Sequence, residues 1–173
     1  MKADVFEIIR AMDTLHESGT VVELRILDCE TTKYRRAHQE SGFFNDFKKL
    51  ARDAASIEKA QGFYFTLNPP NPALLARAAN RLREARKNGS TSDSDIQRLR
   101  WLLVDCDPKR PAGISSTDAE HGASMKLAGL VCKTLLNEGW PEPVSANSGN
   151  GAHLLFRIDL PSADCELTAR VLR

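Results

Sequence analysis

Two aspartates, Asp105 and Asp107, bracket a cysteine at the end of the apolar run "WLLVDCDPKR" (101–110). Residues two apart in a strand point to the same side of the sheet, so the two carboxylates project together while Val104 and Cys106 turn the other way. Side-by-side carboxylates repel, and burying either without compensation is costly. A divalent cation relieves both problems. Magnesium and manganese prefer oxygen ligands and keep waters that a substrate phosphate can replace. Such ions can hold the attacking and leaving oxygens of a phosphoryl transfer. Asp105 and Asp107 are therefore candidate metal ligands and catalytic residues. The competing interpretation is a solvated strand end, with aspartate opening a turn at Pro108. Lys109 and Arg110, just past that proline, can pair with the acids or with a phosphate.

The second unusual stretch is "SANSGNGAHLLFRI" (145–158). Ser148, Gly149, Asn150 and Gly151 can present several backbone N–H groups in a concave turn, the form of an anion nest. His153 follows at the start of an apolar strand, able to donate to phosphate or to ligate a metal as neutral imidazole. An ordinary hairpin with an Asn-Gly turn is the alternative. A hairpin needs only two special residues, whereas this turn strings together Ser-Gly-Asn-Gly with a histidine just beyond. That composition favours close backbone approach to a ligand.

These residues need a scaffold. Apolar residues at Val5, Ile8, Ile9, Met12 and Leu15 predict a helix from Asp4 to about Glu17. "TVVELRIL" (20–27) alternates as a strand, with Glu23 and Arg25 facing away from the core. Residues 28–41 are polar and predict a loop containing "KYRR" (33–36). Phe44, Phe47, Leu50, Ala51 and Ala54 predict a helix over 43–57, and the aromatic "GFYFTLN" (62–68) a strand. "PPNP" then opens a helix through residue 87, its third proline suiting the first turn, and "NGSTSDSD" (88–95) reads as a mobile loop. Thr117 and Glu120 form a capping box before a helix of about twenty residues. Two short strands flank the glycine turn, and a last helix begins near Ser162. Strands alternating with helices predict an α/β or α+β fold, with one mixed sheet and helices packed on it. Residues 1–98 form an N-terminal α/β module, and 99–173 carry the two motifs.

Composition removes several classes. No window approaches a membrane-spanning run of apolar residues, so no membrane partner is expected. The four cysteines, Cys29, Cys106, Cys132 and Cys165, form no C-x-x-C pair, which argues against structural zinc and a disulfide framework and for a reducing, cytoplasmic setting. A net charge of +1 excludes a generally basic coat, so nucleic acid would have to meet a local patch. Residues 77–110 hold nine Lys or Arg, including Arg77, Arg81, Arg86, Lys87, Arg98 and Arg100. Arg77 and Arg81 share a face of the predicted helix and can track a phosphate backbone together. A solvated helix face is the competing account. Phe63, Tyr64 and Phe65 are possible base-stacking residues, although a core strand explains them more cheaply.

An apolar strand ending in D-x-D, a long helix, then S-G-x-G-x-H opening a strand resembles the archaeo-eukaryotic primase superfamily. The likeness is greatest to the primase-polymerase domains of phage and plasmid replication proteins, over roughly residues 20–172. "GFYFTLNPPNPALLARAANRL" and "SGNGAHLLFRIDLP" contribute to it. The resemblance implies an RRM-like catalytic core beside an N-terminal α/β module. It also implies Asp105 and Asp107 as ligands of Mg²⁺ or Mn²⁺, with Ser148 and His153 on the phosphates of a nucleoside triphosphate and Gly149, Asn150 and Gly151 shaping that pocket. DNA template and primer are the implied partners, with a helicase domain or other C-terminal region in the full-length protein. The family's third motif, a further acidic ligand followed by a basic, glycine-containing segment, has no match. Asp159 is the nearby strand acid, sharing a face with His153, but it reads better as a strand end. Weak or absent polymerase activity is expected of these 173 residues alone. The alternative of another class is a non-catalytic nucleic-acid- or nucleotide-binding module. A D-x-D sugar-nucleotide transferase would leave the histidine turn unexplained, and a rolling-circle nicking enzyme lacks its paired histidines.

Overall fold

The computed structural model describes residues 3–30, 37–85, 89–111 and 113–162. The fold is α+β, as expected, but its strands divide between two sheets rather than forming one. The chain separates into two compact units. Unit 1 comprises the described residues up to Leu99 together with those from Pro161 on, and unit 2 is Arg100–Leu160.

Unit 1 begins with α1 (Val5–Leu15), started by Asp4, whose carboxylate accepts from the N–H groups of Phe6 and Glu7. The strands β1 (Val22–Cys29), β2 (His38–Phe44), β3 (Gly62–Phe65) and β4 (Arg83–Glu84) form a sheet in the order β3-β1-β2-β4. Its three pairings are all antiparallel. Between β2 and β3 lies α2 (Phe47–Ala55), capped by Asp46. Alternation along β1 sends Val22, Leu24 and Ile26 to one face, where they meet Met12 of α1 and Phe47, Leu50 and Ala54 of α2. Each such fully buried side chain contributes about 1.5–3 kcal/mol relative to exposure.

Three expectations for unit 1 fail for identifiable reasons. Residues 38–44 are a strand, although the sequence predicts a loop for 38–41 and the start of a helix for 43–44. The polar side chains of His38, Glu40 and Ser41 are buried because they find partners. His38 Nε2 lies 2.8 Å from Glu40 Oε1, and Ser41 donates to Glu23 at 2.6 Å. Glu23 does not face solvent but is only 1% exposed. The helix predicted through residue 87 is a 3-10 turn over Pro72–Arg77, followed by an extended Ala78. Asn80 then takes φ +49°, and its side-chain oxygen accepts from the N–H groups of Asn45 and Asp46, each at 3.1 Å. A tertiary hold on the turn that leads into α2 thus overrides the local helical pattern. The stretch 89–95 holds a second 3-10 turn (Asp93–Asp95), where the Asp95 carboxylate accepts from the Ser92 N–H at 2.8 Å and from its hydroxyl at 2.7 Å. "KYRR", Arg86, Lys87 and the helix beyond Ser162 lie outside the described residues.

Unit 2 is simpler. β5 (Arg98–Cys106), β6 (Val144–Asn147) and β7 (Ala152–Pro161) form a sheet in the order β5-β7-β6. Across one face runs α3 (Asp118–Asn137), which opens with the predicted Thr117/Glu120 box. Leu102 and Cys106 of β5 and Ala152, Leu154 and Phe156 of β7 bury against Ala128, with Val131, Cys132 and Leu135 alongside. The other parity of each strand, with Asp105 on β5 and His153 on β7, occupies the opposite face. No described helix is long and apolar enough to cross a membrane.

Candidate active site

The site is built where β5 ends and β7 begins, on neighbouring strands. Val104 and Cys106 anchor the end of β5 in the unit 2 core, so Asp105 and Asp107 are turned out, with side chains 51% and 41% exposed. Burial raises the Cys106 thiol above its ordinary value, helped by the Asp105 charge. A buried thiol held protonated is no nucleophile.

The glycine turn closes directly on this strand end. An added Cβ on Gly151 would lie 2.3 Å from the Cys106 carbonyl oxygen and 2.6 Å from Asp107 Oδ1. Glycine is therefore required by close approach, one of the two grounds on which the sequence singles out such residues. Gly149 is required on the other ground, with φ +84° and open space around it. Across the gap, His153 Nε2 lies 3.5 Å from Asp105 Oδ1. Both motifs thus meet within one unit.

The turn is held by its own side chains. Ser148 Oγ accepts from the N–H of Gly151 at 2.9 Å and of Asn150 at 3.4 Å. Asn147 Oδ1 accepts from the Gly149 N–H at 2.8 Å and sits 3.0 Å from His121 Nε2 of α3. Asn150 Oδ1 accepts from the Ser116 N–H at 3.0 Å, which ties the turn to the residue before the α3 cap. The N–H groups of Gly149, Asn150 and Gly151 are thus taken by serine and asparagine oxygens.

Arg110 is the basic residue that engages the acids. Its Nη2 bonds Asp107 Oδ2 at 3.1 Å and its Nη1 donates to the Ile114 carbonyl at 2.8 Å. Lys109 is exposed. Asp159 forms an ion pair with Arg100 at 2.9 Å, so both are engaged with each other. The four arginines suggested for nucleic acid are divided between the two units. Arg77, Arg81 and Arg98 belong to unit 1 and Arg100 to unit 2. Arg77 ends its 3-10 turn, and its charge helps lower the Asp95 carboxyl after the hydrogen bonds from Ser92. Arg77 and Arg81 therefore do not share a helix face.

The chain matches no protein-family model, no curated protein and no solved structure. The site must be judged on its own chemistry.

A divalent cation needs hard oxygen donors, and two are positioned here. Arg110 holds one Asp107 oxygen and His153 lies near one Asp105 oxygen, which leaves Asp105 Oδ2 and Asp107 Oδ1 with no hydrogen-bond partner among the described residues. Two outward carboxylates with open oxygens fit magnesium or manganese. No group of three His, Cys, Asp or Glu is arranged as a metal cage among the described residues. Sequence reasoning missed His121, Asn147 and Ser116. The signal was present: the Thr117 box fixes where α3 starts, and so places residues just before and inside its first turn next to whatever the helix end meets.

Proposed function

We propose that unit 2 carries a nucleotidyltransferase site of the primase-polymerase type, acting on nucleoside triphosphates and a DNA primer terminus. The observation that supports it is the meeting of the D-x-D strand end with the S-G-N-G-A-H turn, through the tight Gly151 contact and the 3.5 Å approach of His153 to Asp105. Asp105 and Asp107 would hold Mg²⁺ or Mn²⁺, which would supply charge neutralisation to the phosphates and activate the attacking hydroxyl. The protein's own residues do the remaining work. His153, oriented beside Asp105, donates to a phosphate oxygen. The Ser148–Gly151 turn fixes where the triphosphate lies, its N–H groups exchanging internal acceptors for phosphate. Arg110 releases Asp107 to counter the negative charge of the substrate. No covalent nucleophile is called for; donors aimed at developing charge provide the stabilisation.

Calorimetric titration with a deoxynucleoside triphosphate and Mn²⁺ tests this. Wild-type protein should bind, and Asp105→Ala should lose at least tenfold in affinity. Equal binding by both proteins removes the metal site.

A second reading has its own support. The Arg110–Asp107 ion pair and the internally bonded turn already engage one acid and the turn's N–H groups, which suits a nucleic-acid- or nucleotide-binding module without catalysis. That reading requires DNA binding that is independent of metal and survives the double change Asp105→Ala, Asp107→Ala.

A further inference from the structure

Unit 1 holds a cavity of about 480 Å³ that the catalytic reading does not use. It lies on the face of the sheet opposite α1 and α2, where β1 presents Glu23, Arg25 and Leu27. Its floor is charge-balanced. Glu23 Oε2 accepts from Arg25 Nη2 at 3.0 Å and from the Thr91 N–H at 2.8 Å, while Oε1 accepts from Ser41. Arg25 Nη2 also donates to the Thr91 carbonyl at 3.3 Å. One guanidinium nitrogen is therefore locked, while Nη1 and Nε have no partner among the described residues.

The wall is a half-exposed tyrosine. Tyr64 pairs directly across from Arg25 on the edge strand β3 and is 54% exposed. The Cε2–hydroxyl edge of its ring lies over Gly62, where an added Cβ would meet Cε2 at 2.6 Å and the hydroxyl oxygen at 2.8 Å. Only a residue without a side chain leaves room for the ring there. Leu27 and Ile96 add apolar lining, and the Gln39 amide and Asp93 carboxylate at the edge bond no described group.

These features select a ligand. A floor in which Glu23 neutralises Arg25 gives a phosphate group no net attraction into the pocket. A flat apolar wall beside a guanidinium edge, an amide and a carboxylate suits a planar ring with both donors and acceptors on its rim. Nucleobases have that form: arginine pairs with two adjacent acceptors on a base edge, and amide side chains bond base rims in the same way. The volume suits one nucleoside.

We propose that this pocket binds one unpaired nucleobase of single-stranded DNA, stacked on Tyr64 and bonded at its edge by Arg25 and Gln39. Stacking on an aromatic side chain is worth about 1–3 kcal/mol per base, or roughly 5- to 150-fold in affinity. The pocket is lined by residues of unit 1 alone and uses neither Asp105 nor Asp107, so it does not depend on the metal reading.

Titration of the ¹⁵N-labelled protein with an unstructured single-stranded 12-mer, with its duplex and with free deoxynucleosides, followed by amide shifts, tests the proposal. The single strand should move the amides of Arg25, Tyr64 and Thr91, and the duplex should not. By fluorescence anisotropy, Tyr64→Ala should weaken strand binding within that 5- to 150-fold range, Tyr64→Phe should stay within about twofold, and Arg25→Lys should weaken it because the planar fork is lost. The wild-type shifts need no variant to fold. Asp105→Ala with Asp107→Ala should leave all of these results unchanged. Shifts produced only by free nucleosides, equal shifts from the duplex, or no shift at these amides would overturn the proposal.

Discussion

Glu23 and Asp105 are both strand carboxylates, and the structure treats them in opposite ways. Glu23, on β1, is 1% exposed and its two oxygens accept from Ser41, Arg25 and Thr91. Asp105, on β5, is half exposed beside a second aspartate, with one oxygen unpartnered. A covered, fully bonded carboxylate contributes to holding a fold; a solvated one next to a like charge contributes little to it. The difference separates the acid that builds unit 1 from the acids proposed to equip unit 2.

The largest effect should come from Glu23→Ala. Removing one side of a covered ion pair strands Arg25, and the N–H of Thr91 and the hydroxyl of Ser41 lose their acceptor. With Arg25 partly solvated, urea denaturation should show a loss of about 2–4 kcal/mol. The loss should fade in acid. Burial alone would raise the Glu23 carboxyl, but the hydrogen bonds from Ser41, Arg25 and Thr91 outweigh it and hold it below its ordinary 4.5. A carboxylate lowered in the folded state stabilises fully above its unfolded value and ceases to do so as pH falls through the folded value. The difference between wild type and variant should thus be constant near neutrality and shrink below about pH 4.5. A difference independent of pH would mean that Glu23 acts by packing.

Gly151→Ala comes next. Its Cβ would meet a backbone carbonyl at 2.3 Å, so the hairpin and the end of β5 must separate. A drop of about 1–3 kcal/mol in thermal unfolding is expected, together with loss of triphosphate binding. Gly149→Ala should cost only the strain of its positive φ, roughly 1–2 kcal/mol, and keep more of the binding. If the two alanines lower binding equally, the Gly151 contact is not what joins the motifs.

The smallest effect sharpens the contrast most. Asp105→Asn removes a charge but no essential hydrogen bond, and should change stability by no more than about 0.5 kcal/mol in the same urea experiment. A loss approaching that of Glu23→Ala would make Asp105 a structural acid and dissolve the comparison.

What could be read from sequence follows the same line. The β5 strand end, the α3 cap and the hairpin of β6 and β7 were legible because their causes are local: alternation, a capping box, a glycine turn. The α+β class was legible for that reason too. β2 was not, because His38, Glu40 and Ser41 look like loop residues until their distant partners are in place. Glu23 misled for the same reason, since its cover comes from Thr91, far along the chain. The stretch after Pro72 carries a helical pattern, and only the structure reveals that Asn80 is needed elsewhere. For the site, the two motifs were visible, but the Arg110–Asp107 pair and the use of the turn's N–H groups by Ser148 and Asn147 depend on how loops close.

Asn80 has a consequence for the order in which unit 1 assembles. The turn that leads into α2 is held by a side chain 34 residues beyond Asp46, which reaches back to the N–H groups of Asn45 and Asp46. A helix of nine residues is marginal by itself. Its entry turn is tied to a long-range closure whose entropy must be overcome before these bonds form. The amides of Asn45 and Asp46 should therefore exchange with solvent only when the segment carrying Asn80 lifts away, later than exposed turn amides do.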